Sequence, residues 1–401
     1  MINPKDRQLL IDKLQQPYHY YILHWEALRL IKELKSVPWW HVIADEVHRA
    51  KNRKAQQTIE LKKLRTNFKT GLSGTPADNN PQDLWSILNW LYPRTWTSYW
   101  SFERHFVKVQ RHTVGVCTAV INGELCNDYH KNAFTKVIGV EHVDELHAAI
   151  KPYYLRRLKQ QVMEDLPDKY YTKIDVELLP RQRRIYNQMR DDMLAWIGAH
   201  EHEPIAAPVV IAQLVRLQQF AVAYAELETV YKMKDGEKVA VTKVKLSEPS
   251  SKIDALADIL EDNPGKQVVI FSQSKQAIYM VGRRLERMKI PHVLFTGDHT
   301  ADERTRFVED FQAGKAQVFA GTIHAGGEGI TLTAASIVVF LDRAWNPSRN
   351  RQAEDRLHRI GQKNAVQVID IVAKDTIDAG RLQHINLKWS WLKELLGDKS
   401  A

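Results

Sequence analysis

The sequence QVVIFS at Gln267–Ser272 is a short apolar run with helical patterns on both sides. The patterns predict a helix before it, over Lys252–Glu261, and another after it, over Lys275–Met288. The alternation continues with predicted strands at 292–296, 317–322, 337–341 and 366–372 and predicted helices at 301–312 and 349–359. This order of elements predicts a complete doubly wound α/β domain with a parallel sheet.

A second α/β region is predicted near the amino terminus. Trp39–Ala44 (WWHVIA) and Phe68–Leu72 are short apolar runs, and a basic helical stretch at Arg53–Arg65 joins them. Runs of this kind are typical of strands that are buried on both faces of a parallel sheet. Strand, helix and strand in this order predict a βαβ unit.

The region between these two parts has a different composition. Residues 95–135 are rich in aromatic residues and contain Asn122-Gly123 between apolar runs, which is a strong hairpin signal. Lys234–Glu237 indicates a second exposed hairpin, and helical patterns cover 145–162 and 180–226. We therefore divide the chain into a partial first lobe (1–100), an aromatic and hairpin insertion with a bridge (101–165), a helical insertion (166–250), a second lobe (251–376) and a closing helix (377–401).

Charge and cysteine content restrict the class of protein. The 401 residues include 57 Lys and Arg against 48 Asp and Glu, a net charge of +9, which favours a polyanionic partner. Two cysteines give no disulfide framework, so we expect a reducing, cytoplasmic setting. No stretch of the sequence approaches the apolar length of a membrane span, and we predict no membrane partner.

Acidic residues follow the first apolar run, as Asp45-Glu46-Val47-His48. Open α/β sheets bind ligands at the carboxyl ends of their strands. One carboxylate there can help to hold Mg²⁺ through water, and the other can polarise an attacking water. Acidic pairs also cap helices, so an N-cap is the alternative. Gly71–Pro76 (GLSGTP), after the second run, adds hydroxyl groups that can hydrogen-bond neighbouring carboxylates.

Two motifs in the second lobe suit an anionic ligand. Gly321–Leu332 (GTIHAGGEGITL) places glycines just after a strand, where backbone amides can approach an anion. In Gln352–Gln362 (QAEDRLHRIGQ), Gln352, Arg356 and Arg359 are spaced by four and three, so they share one face of the predicted helix. Fixed guanidinium groups suit phosphate oxygens, whereas a solvated basic helix is the alternative.

Taken in order, these motifs resemble the Swi/Snf-type branch of superfamily-two helicases, which are ATP-dependent DNA translocases, in its phage or bacterial form. The resemblance runs from about Tyr18 to Thr376. Besides the acidic, hydroxyl and glycine motifs and QAEDRLHRIGQ, it includes Tyr154–Lys159 with Leu166-Pro167 and Lys169, Ser251-Lys252, Val269–Gln273, Thr296–Asp298 and Trp345–Pro347. The Tyr154–Lys159 bridge and Trp345–Pro347 favour this branch over strand-separating RNA helicases.

The resemblance implies two RecA-like lobes with parallel sheets, the first of them incomplete, and an ATP hydrolase that uses ATP and Mg²⁺ on double-stranded DNA. It implies the following roles: Asp45 for magnesium, Glu46 for the attacking water, His48, Ser73 and Thr75 for coupling, Arg356 and Arg359 as arginine fingers, Gly327, Gly329 and Gln352 for support of the same cleft, and Ser272, Thr322 and Trp345 near the nucleic-acid track.

One motif of the family is missing from the sequence. The family's first lobe opens with a phosphate-binding loop, Gly-x-Gly-Lys-Thr or similar, and residues 1–401 contain none. We therefore expect a truncated, internally started or split-gene product, with unpaired strand edges in the first sheet. The prediction is that 1–401 alone does not turn over ATP and that the missing segment acts in cis or as a partner chain.

A catalytically inactive DNA-binding or adaptor fragment is the alternative from a different class of protein. The retained Glu46, Arg356 and Arg359 favour the motor, because a pure binder has no use for them. The expected setting is intracellular, at a nucleoid or in a phage-infected host cell.

A zinc site is a weaker hypothesis. His112, Cys117, Cys126 and His130 flank the Asn122-Gly123 hairpin and could bind zinc. Their spacing is not that of a standard finger, so a hairpin with incidental histidines is the preferred interpretation.

Overall fold

The computed structural model describes residues 4–14, 16, 19–77, 80–113, 120–121, 124–125, 133–163, 165–199, 207–234, 237–326 and 329–396. The chain forms two compact units. Unit 1 comprises Met1–His112, Thr135–Leu155 and Lys388–Ala401, and unit 2 comprises Thr113–Phe134 and Arg156–Leu387.

The helices are α1 (Pro4–Leu14), α2 (Ala27–Leu30), α3 (Gln56–Lys62), α4 (Asp83–Leu91), α5 (Tyr99–Phe106), α6 (Val143–Ile150), α7 (Lys159–Val162), α8 (Pro180–Ala199), α9 (Ala207–Val222), α10 (Ser251–Glu261), α11 (Lys275–Arg287), α12 (Ala301–Gln312), α13 (Ile323–Gly326), α14 (Pro347–Glu354) and α15 (Ile377–Leu396). Short 3₁₀ helices lie at Lys32–Lys35, Val47–Ala50 and Lys151–Tyr153. The strands are β1 (Trp39–Ala44), β2 (Thr66–Gly71), β3 (Val107–Thr113), β4 (Val120–Ile121), β5 (Glu124–Leu125), β6 (Ala133–Val140), β7 (Lys169–Val176), β8 (Tyr224–Lys234), β9 (Glu237–Ser247), β10 (Val268–Ser272), β11 (His292–Phe295), β12 (Val318–Thr322), β13 (Ile337–Phe340) and β14 (Val366–Ala373).

Unit 2 is built on a six-stranded sheet in the order β11-β12-β10-β13-β14-β7. Every neighbouring pair in it is parallel. Strands β10 and β13 are buried along their whole length, which explains their continuous apolar sequences. The prediction of an α/β fold with a complete parallel sheet in the second lobe is confirmed.

Strand β7 was not predicted, because residues 169–176 were assigned to a helical insertion. It pairs with β14 from Lys169↔Val366 to Val176↔Ala373 and forms an edge of the sheet. All eight of its residues are exposed or half-buried. An edge strand of this kind lacks the apolar run by which the buried strands were recognised.

The core of unit 2 lies on both faces of this sheet. Val268 and Ile270 belong to one buried cluster, and Val269 and Phe271 belong to another. Consecutive residues of β10 therefore point to opposite faces, as the period of two in a strand requires. Helix α10 packs its Ile253 and Leu256 into the first cluster.

Unit 1 contains the predicted βαβ unit, with β1 and β2 paired in parallel so that Ala44 lies opposite Gly71. The prediction that β1 and β2 are buried on both faces is wrong. Trp40 is 71% exposed, Ile43 59% and Phe68 53%. The reason is that β2 is the only strand paired with β1 among the described residues.

The two predicted hairpins are both present. β4 and β5 pair antiparallel on either side of residues 122–123. β8 and β9 pair antiparallel from Tyr224↔Ser247 to Lys234↔Glu237. The helix expected over residues 145–162 is instead divided into α6, a 3₁₀ turn and α7, and Pro152 lies at the beginning of that turn.

Candidate functional site

The acidic turn (residues 45–48) directly follows β1 in unit 1. Asp45 and Glu46 are both exposed at this strand end. Glu46 adopts the left-handed conformation, with φ 50° and ψ 49°, which is uncommon for a residue with a side chain. Its carboxylate makes no capping hydrogen bond to the 3₁₀ helix that follows. The helix-cap alternative is therefore not what the structure shows for Glu46.

The hydroxyl loop (residues 72–76) follows β2 and lies against the acidic turn. The backbone N–H of Leu72 donates to Ala44 O at 2.9 Å, and that of Val47 donates to Leu72 O at 2.8 Å. A Cβ on Gly71 would lie 3.1 Å from Val47 Cγ1, so glycine permits this close approach. The structure thus brings the two motifs together.

His48 and Ser73 connect the two motifs through their side chains. His48 Nδ1 lies 3.2 Å from Ser73 Oγ and 3.2 Å from Glu46 Oε2. Ser73 Oγ also accepts from the Thr75 N–H at 3.1 Å. The expected partner of the hydroxyl was a carboxylate, whereas the structure shows the histidine. Thr75 Oγ1 is buried and has no hydrogen-bond partner among the described residues.

A pocket in unit 2, with a volume of about 290 Å³, contains the arginine motif. Its lining residues are Lys159, Met163, Gln352, Asp355, Arg356, Arg359 and Ile360. The prediction of one continuous helix through Arg359 is wrong, because α14 ends at Glu354. Beyond it the chain is held in turns, and the Leu332 N–H donates to Arg356 O at 2.9 Å. Gln352, Arg356 and Arg359 nevertheless line the same pocket.

The glycine loop lies against this motif. Arg359 Nη1 donates to Ile330 O at 3.2 Å and to Thr331 Oγ1 at 3.1 Å. Gly329 has a φ of +57° and Gly361 a φ of +98°, conformations that glycine adopts without steric cost. Gly327 lies outside the described residues.

A buried ion network that the sequence analysis missed supports α14. Arg343 donates to Glu354 Oε1 at 2.5 Å and to Asp370 Oδ1 at 2.5 Å. Lys169 and Tyr171 of β7 donate to Glu354 Oε2 at 3.1 and 2.8 Å. Burial alone would raise the pKa of Glu354, but the charges of Arg343 and Lys169 outweigh it and lower that pKa to about 2. Glu354 is therefore ionised at neutral pH.

The predicted bridge contacts the turns after α14. Lys159 Nζ donates to His358 O at 3.2 Å and lies 3.0 Å from Asp355 Oδ2. His358 Nε2 lies 2.7 Å from Pro167 O. Burial lowers the pKa of His358, and the hydrogen bond to Pro167 opposes this shift. The bridge residues thus hold the backbone that carries the two arginines.

The three residues expected near nucleic acid differ in accessibility. Ser272 is fully buried, and its hydroxyl donates to Asp342 Oδ1 at 2.5 Å. Thr322 and Trp345 are half-buried. The Trp345 ring meets that of His384 edge-on, at 6.2 Å between centroids. Ser272 is therefore positioned to orient Asp342 rather than to touch a ligand in this conformation.

Three of the four zinc candidates, Cys117, Cys126 and His130, lie outside the described residues. His112 belongs to β3, where only its backbone is described. The zinc hypothesis therefore stays a prediction.

The architecture and these motifs define a class, namely the helicase-like proteins built on parallel α/β lobes. The SNF2-related domain family matches residues 2–236, and the helicase conserved C-terminal domain matches residues 251–361. Since the first match covers more than half of the chain, the protein belongs to the SNF2-related family. The resemblance to the Swi/Snf branch is confirmed.

Several proteins are similar to nearly the whole chain. It is 29% identical over 398 residues to an uncharacterized ATP-dependent helicase of Mycoplasma genitalium, which is 98% of this chain and 34% of that protein. It is 29% identical to a probable chromatin-remodeling complex ATPase chain of Oryza sativa, covering 94% of this chain and 32% of that protein. The chain thus spans about a third of the length of these relatives.

The chain is also similar to solved structures, among them a part of an ATPase domain. The C-terminal part of the Fun30 ATPase domain is 18% identical, with a TM-score of 0.45, and covers 58% of this chain and 100% of that one.

None of the described helices is long and apolar enough to cross a membrane.

Proposed function

We propose that this chain is part of an ATP-driven motor that moves along double-stranded DNA. The observation that carries the proposal is the unit 2 pocket, where Arg356 and Arg359 line one cavity next to a glycine loop. Guanidinium groups whose backbone is held in place suit the charge of a transferring phosphoryl group. Relatives of nearly the whole chain are named as ATP-dependent helicases and chromatin-remodeling ATPases, which supports the same activity.

The acidic turn supplies the groups for magnesium and for water. Asp45 is exposed at the end of a parallel strand, and carboxylate oxygens are hard ligands of the kind that Mg²⁺ takes. When it is bound with ATP, the ion would neutralise charge that develops on the phosphoryl oxygens. Glu46 would accept a hydrogen bond from the attacking water and orient it. Glu46 has a left-handed backbone, and its carboxylate makes no capping hydrogen bond to the helix that follows.

The pocket supplies the positive charge. Arg356 and Arg359 would act as arginine fingers, with Gln352, Gly327 and Gly329 as supporting groups. Lys159 lines the same pocket and pairs with Asp355, so the pocket carries three cationic side chains that suit a phosphate.

Coupling would run through the hydroxyl loop. Because Ser73 bonds His48, and His48 lies close to Glu46, a change at the carboxylate has a direct path to the loop. Thr75 would be the second coupling residue, since its buried hydroxyl is available for a new hydrogen bond when the loop moves. Thr322 and Trp345 would lie near the DNA track, with Ser272 acting through Asp342.

We further propose that the phosphate-binding loop is supplied from outside residues 1–401, in cis or by a partner chain. The sequence contains no Gly-x-Gly-Lys-Thr motif. Trp40, Ile43 and Phe68 are exposed on β1 and β2, and large apolar side chains of this kind are typical of a covered sheet. The edge of β1 therefore offers a place for further strands.

The test is duplex-stimulated ATP hydrolysis by 1–401, measured alone and with a segment that carries the phosphate-binding loop, joined in cis or added as a separate chain. We expect no turnover alone, and duplex-dependent turnover with the segment. Deuterium exchange should slow at 39–44 and 66–71 when the segment binds. Robust turnover by 1–401 alone would overturn the proposal of an external loop.

Displacement of a third strand from a triplex distinguishes the motor from its alternatives. We expect third-strand displacement without separation of the duplex strands. Separation of an RNA duplex would indicate the strand-separating class instead. If the chain binds the duplex but does not hydrolyse ATP even with the added segment, it is a DNA-binding or adaptor protein and not a motor. Because the proposed partner is DNA, the proposed setting is intracellular, at a nucleoid or in a phage-infected host cell.

A further inference from the structure

Two histidines and one glutamate of unit 1 lie close together in space, at positions well after the acidic turn in the sequence. His105, His142 and Glu145 are all exposed, and one ligand atom from each lies within 4.8 Å of the others. His105 Nε2 lies 2.8 Å from Glu145 Oε2, and His142 Nδ1 lies 3.4 Å from Glu145 Oε1. The two imidazole rings are stacked, with centroids 4.5 Å apart and an interplanar angle of 9°.

The fold brings these residues together at the base of a two-stranded ribbon. His105 is near the end of α5, just before β3, and His142 follows β6, the strand that pairs with β3. The Glu141 N–H donates to Phe106 O at 3.0 Å and fixes the two chain ends side by side. Backbone hydrogen bonding therefore helps to fix the positions of the candidate ligand residues.

The backbone at His142 is itself unusual. It caps α6 with φ 48° and ψ 40°, in the left-handed region, and its side chain makes no capping hydrogen bond. Few residues other than glycine adopt this conformation, although asparagine, aspartate and histidine adopt it more often than the rest. The left-handed cap places the ring beside His105 and leaves Glu145 in the first turn of the same helix.

Two imidazole nitrogens and a carboxylate oxygen form a ligand set for a borderline divalent metal ion. A neutral imidazole has one nitrogen lone pair to donate, and a His₂Glu set with an open fourth position is known to bind zinc. The segment Glu141–Glu145 carries three carboxylates, so the local charge also favours a cation. Without a metal ion, the same atoms would form hydrogen bonds instead, with imidazole N–H groups that donate to the Glu145 carboxylate.

We propose that His105, His142 and Glu145 bind one Zn²⁺ ion, with water in the fourth position, and that the ion clamps the ends of the β3–β6 ribbon. The d electrons of Zn²⁺ impose no geometry, and the ion usually takes four ligands in a tetrahedral arrangement, with bonds of about 2.0–2.2 Å to nitrogen and oxygen. Small side-chain rotations would therefore complete the site. The ion stabilises the folded chain because the unfolded chain does not hold the three ligands together.

The test is titration of the tag-free, metal-free full chain with Co²⁺ and with Zn²⁺. A Cys117→Ser/Cys126→Ser background removes the thiolates of the separate hairpin hypothesis. In this background we expect one ion per chain, cobalt spectra without a thiolate charge-transfer band, and a melting temperature that rises with Zn²⁺ concentration. Loss of all binding in this background would assign the metal to the hairpin cysteines and overturn the proposal.

Ligand variants then locate the ion. His142→Asn keeps a residue that tolerates the left-handed backbone, and Glu145→Gln keeps the side-chain shape. Each should weaken Zn²⁺ binding at least about tenfold, since loss of an outer-shell partner alone costs that much. His24→Gln, at an exposed histidine elsewhere in unit 1, is the control and should bind as the parent does. Unchanged affinity in His142→Asn and Glu145→Gln, with metal-free melting curves that show folded protein, would overturn the site.

Discussion

Arg343 and Glu354 form an ion pair of 2.5 Å inside unit 2, and both side chains are at most 8% exposed. Arg343 lies just after the end of β13, and Glu354 is the last residue of α14. The pair therefore fixes the end of the helix from which the chain turns towards Arg356. Asp370 on β14 binds the other side of the same guanidinium group. The position of the arginine pocket depends on this buried charge.

Removal of the guanidinium should destabilise unit 2 strongly. In Arg343→Met, the buried Glu354 and the half-buried Asp370 lose their main partner, and breaking a buried pair in this way costs about 3–5 kcal/mol. Urea unfolding measures the loss. Arg287→Met is the matched control, because its pair with Glu248 is largely exposed and should contribute less than about 1 kcal/mol. Equal losses in the two variants would contradict the structural role of Arg343.

The stability of the wild type should fall at acid pH through Glu354. Its pKa is lowered from 4.5 to about 2 in the folded chain, so the contribution is complete above pH 4.5 and is lost as the pH falls towards 2. Since one unit of pKa shift corresponds to about 1.4 kcal/mol, we expect a contribution of several kcal/mol. Glu354→Gln should be less stable than the wild type near neutral pH, and the gap should narrow from pH 5 to about pH 3. A gap that stays constant over this range would refute the assignment.

The sequence predicted the buried strands well because burial on both faces leaves a clear pattern. β10 and β13 are short apolar runs and were found. β7 was missed because its sequence, KYYTKIDV, mixes polar and apolar residues at a sheet edge. β1 was found, but its burial was overestimated, since an apolar sequence does not show which neighbours are present in the chain.

The sequence indicated candidate site residues, whose roles stay predictions, but it did not indicate the residues that support them. Arg343 and Asp370 are far apart in the sequence, and no periodic pattern links them. Their contact arises only when β13 and β14 pair. The charged pair Asp342-Arg343 directly after a buried strand was a signal that could have been used. The end of α14 at Glu354 was also missed, because the arginine spacing continues the helical period beyond it.

Arg356 and Arg359 should matter for turnover far more than Arg349, an arginine outside the motif. In the form of the protein that hydrolyses ATP, Arg356→Ala and Arg359→Ala should each lower kcat by roughly 10³. Arg359→Ala should also loosen the glycine loop, because its bonds to Ile330 and Thr331 are lost. Arg349→Ala, at an exposed arginine of α14, is the control. Single-turnover ATP hydrolysis gives the rates, and a loss below tenfold in both variants would rule out finger roles.

Ser73 should affect coupling more than hydrolysis. Ser73→Ala removes the bond to His48 and the acceptor for the Thr75 N–H, while the Asp45 and Glu46 carboxylates stay in place. One such bond contributes about 0.5–1.5 kcal/mol, so the ratio of duplex-stimulated to basal ATP hydrolysis should fall by up to about tenfold. Thr70→Ala is the matched control, because that hydroxyl pairs with His41 on β1 away from the loop. If Ser73→Ala lowers both rates equally and keeps their ratio, the serine supports the acidic turn but does not couple it to DNA.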